Sequence, residues 1–479
     1  MAMVSTPSTT DPIDWIETIR RADPDRTWLE TAEGRVISYH MLNNSVIAMA
    51  AQLTGAGIKP GDRVAACVEK SLEAVILYFA CLWIGAIYMP LNTGYTQSEI
   101  AYFLEDAEPA IFVGDGIARQ THTLDDIAAL PDAPIVERAK FAPDAIAAML
   151  YTSGTTGRPK GAMLTRANLA SNAVALMNAW AITAQDVLIH ALPIFHVHGL
   201  FIAINSMTAA GATMLFRAKF DPEDVIVQMP RATMLMGVPT FYTRLLGTPA
   251  FTHAAAAPMR LFISGSAPLL AETHRQFEAH TGQAILERYG MTETGINTSN
   301  PYFGARIAGT VGLPLPGVEV RISDAEGDIG TIEVRGPNVF AGYWRNPEKT
   351  AAEFREGGWF ITGDLGKIDD QGYVHIIGRG KDLIITGGYN VYPKEIEDAI
   401  DALPGVIESA VIGVPHDDFG EAVVAVVVGT CLDPATMLSQ LRTSLAAYKL
   451  PKAIHIAREL PRNTMGKVQK IVLRERYNL

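Results

Sequence analysis

One segment, Tyr151-Thr-Ser-Gly-Thr-Thr-Gly-Arg-Pro-Lys160, concentrates residues able to surround an anion. Gly154 and Gly157 let backbone N–H groups converge, and the hydroxyls of Thr152, Ser153, Thr155 and Thr156 add donors beside the Lys160 ammonium. It is not a Walker A loop, because no Gly-Lys-Ser/Thr opens the following helix. Taken alone, it is equally a flexible polar loop.

Further chemistry-bearing residues lie downstream. They are Glu293 in Tyr289-Gly-Met-Thr-Glu293, Asp364 in Thr362-Gly-Asp364, Arg379 and Lys381 in Gly378-Arg-Gly-Lys-Asp382, and Lys467 in Pro461-Arg-Asn-Thr-Met-Gly-Lys467. Read singly, these are an exposed acid, a turn aspartate and solvated cations. His196 and His198 in Phe195-His-Val-His-Gly199 invite a metal reading, but no third ligand accompanies them. Alternation places both on one face of an extended segment.

These residues need elements to hold them. Short β-branched runs alternate with helix-length amphipathic segments, which predicts an α/β fold. The run Ile146 to Tyr151 reads as a strand, Gly161 to Leu164 as its return, and Thr165 as the N-cap of a helix from Arg166 to about Trp180. From Val318 onward short strands and tight turns, one at Asp324 to Gly330, predict a small β-rich subdomain. The last hundred or so residues read β–α–β–β–α, with helices at Lys394 to Ala402 and Ala435 to Leu445 and strands at Ser409 to Val414 and Ala422 to Val428. A boundary at Gly380–Lys381 gives domains 1–379 and 380–479.

Composition narrows the field. The 479 residues suit two to four cores, and 48% apolar against 19% charged residues favours a large buried interior. Thirty-nine basic against 51 acidic residues leave a net charge of −12, which repels a nucleic-acid backbone. Cys67, Cys81 and Cys431 show no metal spacing and fit a reducing cytoplasm. Met1 to Asp11 lacks an apolar h-region and reads as a frayed end. Ala74 to Leu91 runs 18 residues without a charge, but Gly85 and Pro90 interrupt it. A buried helix ending near Trp83, then a strand through Ile87, is preferred over a membrane span.

Together the six ordered motifs, which include Gly387-Gly-Tyr-Asn-Val-Tyr-Pro-Lys-Glu-Ile-Glu397, resemble the signature of the adenylate-forming superfamily: acyl-CoA synthetases, adenylation domains and beetle luciferases. The resemblance implies a large N-terminal domain of layered α/β subdomains with a β-barrel-like subdomain, then a small mobile α+β C-terminal domain. It implies ATP, Mg2+ and CoA. Thr152, Ser153, Gly154, Thr155, Thr156, Gly157 and Lys160 would hold the β- and γ-phosphates. Thr292 would contact the α-phosphate and Glu293 the metal; Asp364, helped by Arg379, would bind ribose and Tyr289 would stack on adenine. Lys467 would bridge carboxylate and α-phosphate. A lysine acetyltransferase and deacetylase acting on Lys467 are implied as partners. Lys381 would be the hinge about which the C-terminal domain rotates between half-reactions, bringing the Gly387-Gly-Tyr-Asn turn to a pantetheine channel.

Two arginines bear on the acid. Arg288 precedes the Tyr289 motif where the superfamily lines its acyl pocket, and Arg244 lies on another segment expected to border it. A guanidinium buried there without an anion would be costly, so a second substrate carboxylate is the natural partner. A structural ion pair is the alternative for each. By the same resemblance His196 and His198 would stand beside the acyl pocket as its wall; Ser264 and Ser266 would add hydroxyls and little volume. The strings LFISGSAPL, LERYGMTET and LPRNTMGKVQK resemble malonyl-CoA synthetases, which join malonate, and often methylmalonate, to CoA. Activation of another short acid, or loading of a carrier-protein thiol, is the rival reading.

Overall fold

A computed structural model describes residues 15–114, 121–128, 138–140, 142–152, 159–387, 389–416, 418–463 and 466–477. Residues 1–11 and the loop residues Ser153, Gly154, Thr155, Thr156 and Gly157 lie outside that set. The described strands form four sheets, with helices between them. It is a mixed α/β fold with a large N-terminal and a small C-terminal part.

The strand Ile146–Thr152 and its antiparallel return Lys160–Thr165 sit near one edge of a seven-stranded sheet. Thr152 pairs with Lys160, so the two ends of the glycine-rich segment are hydrogen-bonded neighbours. Thr165 caps the following helix, Arg166–Ala179, in a reciprocal box with Asn168. The charge-free run forms the helix Leu72–Ile84, capped by Ser71 and stopped by Gly85, whose φ of +78° suits a residue without Cβ. The strand Ile87–Pro90 follows. Among the described residues no helix is long and apolar enough to cross a membrane.

A nine-stranded sheet carries the second half of the site. Its central strands Val187–His190, Met234–Gly237, Leu261–Ser264 and Leu286–Met291 run parallel and end on the same side. Ligands in open α/β sheets gather beyond such carboxyl ends. Ser264 and Arg288 both lie there.

From Glu319 a five-stranded sheet forms, with Asp364 on Trp359–Ile368 and Arg379 on the paired Val374–Arg379. Its first hairpin reverses between Glu326 and Ile329, a narrower turn than the sequence predicts; Asp324 stays within the strand at φ +49°. The C-terminal sheet contains the expected strands, lengthened to Val406–His416 and Gly420–Gly429. It adds the short hairpin Ile384–Thr386 with Tyr389–Val391 and a parallel strand Ala453–Ala457. The helix expected to reach Leu445 stops at Leu441.

Candidate active site

Lys160 leaves the end of the glycine-rich segment and stands 5.4 Å from the centre of the Tyr343 ring. The Tyr343 hydroxyl donates to Glu293 Oε1 at 3.0 Å. Glu293 is buried in the turn between Leu286–Met291 and Gly295–Ser299, and burial pushes its pKa up. The turn is tight: a Cβ on Gly290 would lie 1.9 Å from the Gly295 carbonyl oxygen. Asn338 Nδ2 donates to Thr294 O at 2.8 Å and holds it in place. Thr292, half-buried, occupies the same turn. Desolvation lowers the Lys160 pKa, as does Lys349 nearby, while Glu353 and Glu293 oppose the shift. A buried carboxylate and a lysine that share Tyr343 as a neighbour, at the end of the glycine-rich segment, are groups able to take a hard cation and an anion.

Asp364 is 3% exposed. Arg379 Nε lies 2.7 Å from its Oδ1, and the Tyr289 hydroxyl donates to its Oδ2 at 2.5 Å. Burial raises the Asp364 pKa, and Arg379 and Tyr289 work against that. The sequence assigns Asp364 to ribose and Tyr289 to an adenine face. Here both carboxylate oxygens already have protein donors, and the tyrosine is held by its hydroxyl.

The third cluster stands at the strand ends. Arg288 is 4% exposed, and among the described residues its Nε and Nη2 have no hydrogen-bond partner. Burial pushes its pKa down to about 9, opposed only by Tyr242. Its guanidinium lies against Gly265, where a Cβ would come within 2.4 Å of Cζ. Ser264 Oγ and His198 Nε2 are likewise buried and unpartnered. His198 Nδ1 meets Ser266 Oγ at 3.1 Å, and Ser266 holds a left-handed φ of +72°. Buried polar atoms ordinarily find partners, so these four orphans, two on the guanidinium and two on its neighbours, mark a place for a polar ligand.

The histidine segment differs from expectation. Phe195 to Val197 is not extended, and His198 begins a π-helix, His198–Ile204. The His198 N–H donates to His196 Nδ1 at 3.2 Å. Burial, Lys467 and Arg288 push the His196 pKa down to about 3. Arg244 is not joined to this cluster. On the helix Pro239–Leu246 the buried face is Phe241, Tyr242 and Leu245, and Arg244 is exposed one turn beyond Thr240.

Lys467 reaches the site from the C-terminal part. Its backbone is held by Asn463, whose Oδ1 accepts from Lys467 N at 3.0 Å and whose N–H donates to Lys467 O at 3.0 Å. The residue is solvent-accessible, yet enough protein surrounds its ammonium for desolvation to be felt. Burial and Arg379 lower its pKa, Asp364 and Glu293 raise it, and Arg288 lowers it. Residues from three sheets and the C-terminal loop therefore share one electrostatic neighbourhood. Lys381 is exposed on a single turn, Gly380–Asp382, and its neighbour Asp382 pairs with Arg474 at 2.8 Å.

Residues 16–344 match the AMP-binding enzyme family, and residues 395–467 match the AMP-binding enzyme C-terminal domain. The chain belongs to the AMP-binding enzyme family. It is an AMP-forming acid–CoA ligase, close within the adenylate-forming superfamily to malonyl-CoA synthetases. It is similar to ATP-bound MatB from Rhodopseudomonas palustris, at 54% identity and a TM-score of 0.93, covering 97% of this chain and 98% of that one. A malonate–CoA ligase of Arabidopsis thaliana is 34% identical, over 93% of this chain and 85% of the relative. A feruloyl-CoA synthase of Amycolatopsis sp is also 34% identical, over 93% and 94%.

One residue of this AMP-forming ligase's site escapes sequence reasoning. Tyr343 supports Glu293 from 50 positions away, with no local signal. His196 is visible as pocket wall, but its place between Lys467 and Arg288 follows from the turn that replaces the extended segment.

Proposed function

We propose that this ligase joins malonate, with methylmalonate as a second acid, to CoA through malonyl-AMP. The observation that carries the reading is Arg288: a buried guanidinium with two unpartnered donors and, among the described residues, no acid beside it. Leaving such a group unpaired is costly, and a carboxylate accepting from Nε and Nη2 would relieve it. Arg244, solvated at the surface, would add only longer-range attraction for a dianion.

One malonate oxygen attacks the α-phosphorus of ATP and pyrophosphate leaves; the CoA thiolate then attacks the acyl carbonyl and AMP leaves. In the first step both reactants are anionic, so fixed cations and donors do most of the work. Lys160 and the hydroxyls of Thr152, Ser153, Thr155 and Thr156 hold the outer phosphates, with the backbone at Gly154 and Gly157. Thr292 contacts the α-phosphate and Lys467 bridges it to the attacking carboxylate. Asp364 with Arg379 takes the ribose, and Tyr289 borders the adenine. Ribose hydroxyls would compete with the Tyr289 hydroxyl for Asp364. Glu293 would hold Mg2+, which screens phosphate charge when bound. His198, Ser264 and Ser266 line the acid pocket. The domains 1–379 and 380–479 would alternate about Lys381 in a reducing cytoplasm.

The test is pyrophosphate release with ATP and a panel of C2 to C6 mono- and dicarboxylates, followed by identification of the thioester. Malonate should give the highest kcat/KM, and CoA should be the acceptor. Preference for a monocarboxylate, or transfer only to a carrier-protein thiol, would overturn the reading.

A further inference from the structure

Half-buried Lys70 and buried His190 are polar groups for which the chemistry above has no use. Lys70 enters from the turn between the strand Arg63–Cys67 and the helix Leu72–Ile84. Its Nζ lies 2.8 Å from His190 Nδ1, 2.9 Å from His190 O and 2.6 Å from Arg217 O, with the Phe216 ring centre at 4.3 Å. On the other side of the imidazole, His190 Nε2 lies 2.8 Å from Gly199 O.

The tautomer follows. A carbonyl oxygen only accepts, so Nε2 carries the ring proton. Burial and Lys70 push the His190 pKa well down, so the ring is neutral and Nδ1 accepts from Lys70. The imidazole thus passes one directed contact from the lysine to the Gly199 carbonyl.

Gly199 is the second residue of the π-helix that opens at His198. A Cβ there would lie 2.0 Å from Pro193 O, so this turn is pressed onto the preceding chain. π-turns are uncommon and persist where surroundings hold them. The next residue back, His198, carries the contact to Ser266, itself at a left-handed φ, beside Arg288. A contiguous path therefore runs from Lys70 through His190 and Gly199 to the acid pocket.

We propose that Lys70 and His190 are positioning residues for the acid pocket, holding the start of the π-helix so that His198 and Ser266 stay beside Arg288. This rests on the reading of Arg288 as the site of the substrate's second carboxylate. Displacement of a binding group by even 1 Å can cost a hundredfold in rate, and the effect here should fall on the acid rather than on ATP.

The experiment compares His190→Leu, His190→Gln and Lys70→Met with wild type, using the full chain. KM for ATP, KM for the acid and the thermal midpoint are measured. The wild-type acid preference is established first; if it is not malonate, the substrate reading fails on that result, and the positioning role is judged with the preferred acid. His190→Leu and Lys70→Met should raise the acid KM at least about tenfold while ATP KM moves less than about twofold. His190→Gln, which keeps an N–H near the place of Nε2, should recover most of the acid KM. Equal rises in both KM values, an acid KM within about twofold of wild type, or no recovery by Gln would each overturn the proposal. If His190→Leu does not fold, Lys70→Met and His190→Gln are judged by the same split.

Discussion

Replacing Arg288 separates two consequences that a purely structural arginine would not separate. Nε and Nη2 both lack a partner among the described residues, so a bound carboxylate gains two charge-assisted bonds. At roughly 1.5 kcal/mol each these contribute about 3 kcal/mol, or about a hundredfold in kcat/KM. Arg288→Ala should therefore lose malonate turnover by about that factor with ATP KM nearly unchanged. It should also narrow the gap between malonate and butyrate. Stability should move the other way. The folded pKa, about 9, lies below that of the solvated guanidinium, so the unfolded chain holds the proton more tightly. Its unfavourable contribution is fully present at neutral pH and begins to be relieved only as pH rises above about 9, toward the solvated value. Arg288→Met should accordingly raise the thermal midpoint of the ligand-free protein at pH 7, by at least about 1 kcal/mol of stability. In wild type, kcat/KM for malonate should fall as pH rises through about 9, because the cation is lost from the free enzyme. The assays are pyrophosphate release with malonate, methylmalonate, propionate and butyrate, and thermal unfolding without ligand. A wild type that prefers butyrate, an unchanged malonate-to-butyrate ratio in Arg288→Ala, or a destabilised Arg288→Met would refute the reasoning.

Lys467→Ala should nearly abolish malonyl-AMP formation yet still convert supplied malonyl-AMP to the thioester, since the charge acts on the phosphorus step; equal loss of both would remove the assigned role. Lys381→Pro should keep adenylation and lose thioester formation, because proline fixes φ at the turn expected to rotate; full overall activity in this variant would place the pivot elsewhere. Arg244→Ala should cost malonate kcat/KM less than about tenfold, since a solvated cation contributes little to a screened interaction; a loss as large as that of Arg288→Ala would make the two arginines equal partners.

What the sequence determined by itself is local or patterned. Thr165 as cap, Gly85 as helix stop, and the strands on both sides of the glycine-rich segment were legible because capping and periodicity act within a few residues. The motif order also named Lys467, Glu293, Asp364 and Arg288. Tertiary structure decided what those residues touch. Asp364 meets Tyr289 across 75 positions, and Lys70 meets His190 across 120, through sheet pairings that no short window contains. The strand Ala453–Ala457 was invisible for the same reason: its place is set by Gly420–Gly429, against which it runs parallel. The histidine segment shows the limit most directly. Alternation predicts an extended chain, but Gly199 lacks the Cβ that would collide with Pro193, and in the π-turn its carbonyl meets His190 Nε2. That Arg288 lacks an acid partner is likewise a property of packing. The residue's type gives it a charge, and only the fold removes both water and any counter-ion from around it.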